Sequence, residues 1–187
     1  LRFSFTVQVV PAQTPNLLVE SADLFEISLN GQPVSNQSDG WYLDRSMHLV
    51  PLPQFLQGTN VLELRCRYTN HMELEDIFIT GDFGVSVDRQ IIAEPTELHF
   101  GDWTTQGYLH YAGSMVYHGS YRHEASDSRR VRLYLGEYQA VHVTVTVNDV
   151  LVGHIPWISA NGLDITDALR PGDNSVDITV VSSPRNM

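Results

Sequence analysis

Strict alternation of apolar and polar residues is the feature that most constrains this chain. It recurs in four separate runs, at residues 25–29, 62–68, 141–147 and 176–180. Successive side chains of a strand point to opposite faces, so each run predicts a strand with one buried and one wet face. Three further stretches, at 2–10, 75–83 and 131–138, have the composition of strands.

Helical patterns are short in this sequence. The longest candidates are residues 53–57 and 166–170, each about one turn ending near a glycine. Short strands separated by Asn-Gly and Pro-Gly turns favour antiparallel pairing. The predicted fold class is therefore all-β, built as antiparallel β-sandwiches.

An internal repeat divides the chain in two. The first alternating run ends in Asn30-Gly31, and the third ends in Asn148-Asp149. Each turn is followed by a Gly-x-Asn sequence that opens another alternating strand, Gly58-Thr59-Asn60 in the first copy and Gly172-Asp173-Asn174 in the second. Two copies of one strand–turn–excursion–strand unit predict two copies of one fold.

The repeat gives the predicted domain organisation. We expect two tandem sandwich modules, residues 1–88 and 89–187, with the junction between residues 86 and 95, where the alternation lapses. The chain begins with Leu1 and not with Met, so we expect it to be a piece of a longer polypeptide.

The charge balance excludes several classes of partner. The chain has 22 acidic residues against 11 basic ones, all of them arginine, and a formal net charge of −11. Nucleic-acid phosphates and anionic lipid surfaces both require a basic face, so we expect neither partner. Without lysine there is no Schiff-base chemistry and no phosphate-loop lysine. Cys66 is the single cysteine and shares strand parity with Leu62, Leu64 and Tyr68, which predicts a buried, unreactive thiol.

At the repeat the chain resembles a known family. A strand ending in Asn-Gly, an excursion and a Gly-x-Asn strand are the pattern of galactose-binding-like jelly rolls, in particular the sugar-binding domain of family-two glycoside hydrolases. Gly101-Asp102-Trp103, Gln106-Gly107-Tyr108 and Tyr111-Ala112-Gly113 are similar to a stretch that opens an accessory jelly roll in large bacterial glycosidases of the α-L-rhamnosidase-like kind. Residues 73–85 resemble the segment that joins the two modules.

The resemblance implies a function as well as a fold. Modules of this kind are non-catalytic accessories of a multidomain glycoside hydrolase, where they bind carbohydrate or brace the catalytic domain of the same polypeptide. It also implies a secreted or periplasmic protein, a point that the single cysteine leaves open.

No catalytic template fits the sequence, and we expect no catalytic residue in the chain. The nucleophile elbow, the zinc-protease helix motif and the phosphate loop are all missing, and the alternating strand–helix pattern of a TIM barrel is absent. We expect no cofactor and no resident metal. A structural calcium ion is the one alternative, with oxygens drawn from the loop residues Asn161, Asp164, Asp173 and Asn174.

Aromatic residues at turns carry the binding hypothesis. A Trp or Tyr ring offers an apolar face with a polar handle, which matches the C–H face and hydroxyl rim of a pyranose. The candidate sugar site lies in loops of the second module and comprises Trp103, Gln106, Tyr108, Trp157 and Asn161. Trp41-Tyr42, with Arg45 beside Asp44, is a second aromatic position with polar neighbours.

Three alternative interpretations compete with the hypothesis of a sugar-binding accessory module. The aromatic side chains could plug the ends of the sandwiches and contact no ligand. The chain could be a structural or adhesion sandwich of a surface protein, without a sugar ligand. It could also be a hydrolase itself, which would require two carboxylates facing one cleft.

Overall fold

The computed structural model describes residues 1–70, 74–124, 129–155 and 162–183. Within these ranges the regular structure is β, apart from 3-10 turns at Ala22–Leu24, Trp103–Gln106 and Thr166–Ala168. The all-β prediction is confirmed. None of the helical turns described is long and apolar enough to cross a membrane.

One of the two expected helical turns is present and one is not. Thr166–Ala168 forms as expected. Residues 53–57 have no helical turn, and there the Leu56 amide donates to the Asn60 side chain at 3.0 Å.

Contacts divide the chain into two compact units, Leu1–Leu109 and His110–Met187. The first unit contains a six-stranded sheet in the order β4-β3-β7-β1-β10-β9 and a four-stranded sheet in the order β5-β6-β2-β8. Its strands are β1 Arg2–Val7, β2 Asn16–Glu20, β3 Glu26–Leu29, β4 Gln32–Val34, β5 Gly40–Tyr42, β6 Asp44–Pro51, β7 Gly58–Arg65, β8 Phe78–Thr80, β9 Gly84–Val85 and β10 Ile91–Ile92.

The core of the first unit lies between its two sheets. Ile27 and Leu64 come from the six-stranded sheet, and Leu17, Val19 and Val50 come from the four-stranded sheet. All five are nearly inaccessible to water. Apolar side chains from both sheets meet in one cluster, which is the packing of a β-sandwich.

The second unit repeats this plan on a smaller scale. A four-stranded sheet in the order β11-β16-β13-β14 and a two-stranded sheet of β12 and β15 supply the core, in which Val143, Val145 and Val147 are fully buried. Leu133 and Leu163 pack against that cluster from the two-stranded sheet. The strands are β11 Ser114–His123, β12 Arg132–Leu133, β13 His142–Val147, β14 Val150–Ile155, β15 Leu163–Asp164 and β16 Gly172–Val181.

The predicted repeat is confirmed at the level of strand register. In the first unit, Leu29 lies opposite Leu62 in the pairing of β3 with β7. In the second, Val147 lies opposite Val176 in the pairing of β13 with β16. The strand orders β4-β3-β7-β1 and β14-β13-β16-β11 correspond one to one.

The stretch that follows β8 packs with the first unit. β10 pairs with β9, and Ile91 lies opposite Val7 of β1. The Val85 amide donates to the Gly107 carbonyl at 2.6 Å. The division between the compact units falls at Leu109 and His110, whereas the sequence places the junction at residues 86–95. The predicted module bounds 1–88 and 89–187 stay a prediction, which proteolysis can test.

The alternation of the sequence predicts the wrong burial for the residues that follow β7. Leu62 and Leu64 are buried as expected, but Tyr68 is 63% exposed and Cys66 is only half-buried. β7 ends at Arg65, so the alternation no longer decides which way the following side chains point. Cys66 packs against the core and also lines a cavity of about 470 Å³ with Tyr68 and Leu74.

Candidate functional site

Trp103 and Gln106 lie together in the short 3-10 turn Trp103–Gln106 of the first unit. The Asp102 carboxylate caps this turn by accepting from the Thr104 amide at 2.9 Å. Trp103 is only 8% exposed. Its ring therefore packs inside the fold, and little of its face is open to a ligand.

The Gln106 amide is used within its own loop. Its Oε1 accepts from the His99 amide at 2.8 Å, and its Nε2 donates to the carbonyls of His99 at 3.1 Å and Asp102 at 3.2 Å. Both ends of the amide therefore hold backbone groups. A sugar hydroxyl would have to displace these bonds before Gln106 could contact it.

Tyr108 closes the same loop. Its hydroxyl group lies 3.3 Å from Glu94 Oε1 and 3.4 Å from the Pro95 carbonyl oxygen. The intervening Gly107 has a φ of +97°, and a Cβ there would lie 2.6 Å from Pro95 Cγ. Glycine is needed here for both the left-handed backbone and the close approach of Pro95.

The remaining members of the predicted site, Trp157 and Asn161, lie outside the described residues. Trp103, Gln106 and Tyr108 belong to the first compact unit, whereas the sequence assigned them to the second module. The structure brings these three residues into one loop, and sugar binding by the full set of five stays a prediction.

Of the predicted calcium ligands, Asn161 lies outside the described residues, and Asp164, Asp173 and Asn174 have protein partners. Asp164 accepts from Arg130 Nε at 2.5 Å and from the Thr166 hydroxyl at 2.7 Å. The hydrogen bonds from Thr166 and Arg130 lower the pKa of Asp164 to about 2. Asp173 lies 3.2 Å from an Arg122 nitrogen. Among the described residues no group of three or more His, Cys, Asp or Glu side chains is placed to hold a metal ion.

Asn174 is buried, with 1% of its surface exposed, and its side chain serves the backbone. Its Nδ2 donates to the Arg170 and Gly172 carbonyls, both at 2.9 Å. Its Oδ1 accepts from the Arg170 amide at 2.8 Å and from Asn148 Nδ2 at 2.7 Å. We use the term clasp for this arrangement, in which a buried asparagine side chain hydrogen-bonds the backbone of a turn with both its donor and its acceptor atoms.

Asn60 makes the same clasp in the first unit. It is 0% exposed, its Nδ2 donates to the Leu56 carbonyl at 2.7 Å, and its Oδ1 accepts from Asn30 Nδ2 at 2.8 Å. Asn30 and Asn148 both have a left-handed backbone, with φ of 53° and 50°. The spacing of the repeat located these asparagines, but the pattern did not show that they bond to each other.

Trp41 is an exposed aromatic residue outside the predicted sugar site. It is 55% exposed, on the edge strand β5, and lies opposite His48 of β6. Of the two tryptophans in the described part of the chain, Trp41 presents the open ring and Trp103 the covered one.

Comparison with known proteins gives matches among solved structures alone. No family model matches the chain. No curated protein matches it. Similar solved structures include a rhamnosidase from Novosphingobium sp. PP1Y, with 18% identity, a TM-score of 0.39, and coverage of 99% of this chain and 18% of the enzyme. They also include an α-L-rhamnosidase from Streptomyces avermitilis in complex with L-rhamnose, with 14% identity, a TM-score of 0.37, and coverage of 96% and 21% respectively. The chain spans about a fifth of the length of these two proteins.

Proposed function

We propose that the chain is a non-catalytic accessory part of a secreted or periplasmic glycoside hydrolase, and that it braces the catalytic domain of the same polypeptide. The observation that carries this proposal is the loop of residues 99–108, which holds two of the motifs of the family resemblance, Gly101-Asp102-Trp103 and Gln106-Gly107-Tyr108. The Gln106 side chain bonds the backbone of this loop, and the Tyr108 hydroxyl group bonds Glu94 and Pro95 just before it.

The hydrogen bonds of the Gln106 side chain favour a bracing role over sugar binding at this position. A specificity-determining amide presents its donor and acceptor to the ligand, whereas both ends of the Gln106 amide hold the backbone of His99 and Asp102. Burial of Trp103 has the same consequence, since a stacking platform needs an open ring face. These hydrogen bonds and the burial of Trp103 hold the loop in one conformation.

The repeated sandwich supports the finer assignment of fold. We propose that each unit is a galactose-binding-like jelly roll, on the basis of the paired strand orders and the Asn30–Asn60 and Asn148–Asn174 bonds.

The test uses the polypeptide that carries this chain, with Gln106→Met as the variant. Methionine keeps the length of the side chain and removes both hydrogen-bonding ends, so we expect the unfolding midpoint of this part to fall by about 5 °C. The half-life of the hydrolase on heating should shorten, and kcat/KM of the enzyme that survives should be unchanged.

Gln37→Met is the matched control. Gln37 is exposed, and its side chain makes no hydrogen bond within the described residues, so the same substitution there should change neither stability nor activity. If Gln106→Met weakened binding to an oligosaccharide at unchanged stability, the loop would be a ligand site and the bracing role would be wrong.

A further inference from the structure

The outer edge of β11 is open in the second unit. β11 pairs with β16 on one side, and within the described residues no strand pairs with its other side. The Ser182 amide donates to the Gly113 carbonyl at 2.9 Å, which sets the phase of this antiparallel ladder. Residues that bond the partner strand alternate with residues that do not. The amides that point away from β16 are therefore those of Ser114, Val116, His118, Ser120 and Arg122.

β11 does not protect this edge by its own sequence. None of the outward amides donates a hydrogen bond in the described part of the chain. Unpaired N–H and C=O groups along an edge are a template for another strand, and proteins guard them with lysine, proline or a covering segment. The ten residues of β11 include neither lysine nor proline. A covering segment is the remaining way to protect the edge.

The first unit shows how the equivalent edge is covered. In the repeated strand order β1 takes the place of β11, and β10 pairs with β1 in parallel. The Gln8 amide, just past the end of β1, donates to the Ile91 carbonyl at 2.8 Å. Ile91 is buried and belongs to the core cluster. The covering strand therefore pairs with the edge and also completes the core.

The register of the repeat identifies the equivalent position in the second unit. Gly58 lies opposite Val7 and has a left-handed φ of 94°. Gly172 lies opposite His123 and has a left-handed φ of 96°. His123 therefore occupies the position of Val7, and Glu124 occupies the position after it. The end of β11 is the place where a strand equivalent to β10 would pair.

The His123 side chain gives a second, independent indication of an absent neighbour. Val7, which lies opposite Ile91 of β10, is fully buried, whereas His123 is only half-buried. His123 Nδ1 is nevertheless inaccessible to water, and it has no hydrogen-bond partner within the described residues. A buried polar atom without a partner is costly and rare in folded proteins. A segment paired beside His123 would bring a polar group to this atom.

We propose that the outer edge of β11 binds an extended segment of the polypeptide that carries this chain, paired in parallel beside His123 and Glu124. An apolar side chain of this segment takes the part that Ile91 takes in the first unit. A polar group of the segment bonds His123 Nδ1. The covering segment closes the sheet of the second unit and joins it to the rest of the polypeptide by backbone hydrogen bonds.

The spacing in the first unit indicates where this segment lies. β7 ends at Arg65 and β10 begins at Ile91, 26 residues later. β16 is the equivalent of β7 and ends at Val181, so the same spacing leads past residue 187. The inference rests on the proposed function in one respect, which is that the chain is part of a longer polypeptide.

The first test is hydrogen exchange at the Glu124 backbone amide, measured by mass spectrometry with fragmentation to single residues. It compares the 187-residue chain with the polypeptide that carries it. We expect exchange at Glu124 to be about tenfold slower in the longer polypeptide, because the covering segment then accepts from this amide. Gln8 is the matched control, since its amide already donates to the Ile91 carbonyl and should exchange equally slowly in both.

His123→Val gives a second readout. Valine is the residue at the equivalent position of the first unit, and it removes the unpaired nitrogen. In the 187-residue chain we expect the unfolding midpoint of the second unit to rise by about 5 °C. In the longer polypeptide the same change breaks a hydrogen bond, so the midpoint should fall. His118→Val is the matched control, because His118 is an exposed residue of the same strand that bonds Asp177 of β16, and its effect should be equal in both.

Three outcomes would overturn the proposal. The first is equal exchange at Glu124 in the chain and in the longer polypeptide. The second is an effect of His123→Val that has the same sign in both. The third is a concentration-dependent dimer of the 187-residue chain that slows exchange at Glu124, which would make a second copy the occupant of this edge. None of these touches the bracing role, whose readout is the stability of the Gln106→Met polypeptide.

Discussion

Replacing Asn174 by alanine would remove the clasp of the turn between residues 170 and 174. The buried side chain bonds the Arg170 amide and carbonyl, the Gly172 carbonyl and the Asn148 side chain. Alanine fills none of these roles. The donors on Arg170 and Asn148 would lose their acceptor, and the carbonyls would each lose one donor.

The cost follows from which groups are left without a partner. A buried donor that loses its acceptor costs about 1–3 kcal/mol, while a carbonyl that keeps a second bond costs less. Arg170 is exposed at the surface, so water can reach part of the vacated position. We therefore expect Asn174→Ala to reduce the free energy of unfolding of the second unit by about 3 kcal/mol, or roughly 15 °C in its midpoint.

Calorimetry of the whole chain measures this loss. Asn174→Ala should lower the transition of the second unit, and Asn60→Ala, which removes the equivalent clasp, should lower that of the first. Asn70→Ala is the control, because Asn70 is exposed and its side chain makes no hydrogen bond within the described residues. A loss below about 1 kcal/mol for Asn174→Ala would show that water or a rearranged turn replaces the clasp, and would refute the reasoning.

Four further outcomes are expected. Limited proteolysis should separate two folded fragments near Leu109, because the ladder of β9 and β10 protects most of residues 84–92; a clean cut at residues 86–95 that leaves two folded halves would instead support the junction expected from the sequence. The isolated chain should release no nitrophenol from aryl glycosides above background, and turnover abolished by one Glu→Gln change would contradict this. Cys66 should react with a thiol reagent in the native state, more slowly than in urea, because it is half-buried and lines a cavity; complete protection would show that the cavity is closed. The pKa of Asp164 is lowered from 3.8 to about 2, so its stabilising effect should be full above about pH 5 and lost as the pH falls through about 2, and the difference in midpoint between wild type and Asp164→Asn should shrink at low pH.

Alternation predicts the centres of strands better than their ends. In β13 the valines at 143, 145 and 147 are all fully buried, because neighbouring strands pair on both sides of it. At the end of β7 the same rule fails for Tyr68, since pairing stops at Arg65 and side-chain direction is no longer coupled to the ladder. Parity holds only where a strand is paired, and the sequence does not mark where pairing stops.

The repeat predicts register where single motifs do not. Asn30 and Asn60 are 30 positions apart, Asn148 and Asn174 are 26 apart, and both pairs form a side-chain hydrogen bond. The shorter spacing shows that the excursion between the strands varies while the clasp is kept. Neither spacing predicts that the asparagine side chain would hydrogen-bond to backbone groups, because those bonds depend on the path of the intervening turn.

The candidate site shows why residue type alone does not identify a binding surface. Trp103 and Trp41 are equally suited to stack on a sugar, yet the first is 8% exposed and the second 55%. Asp102 and Thr104 form a local cap around Trp103, which the Asp-x-Thr spacing indicates. Gln106 then takes its partners four and seven residues back, at Asp102 and His99, and leaves no free amide. A polar residue beside an aromatic ring is free to contact a ligand only when its own loop does not already use its hydrogen-bonding atoms, and Gln106 does not meet that condition.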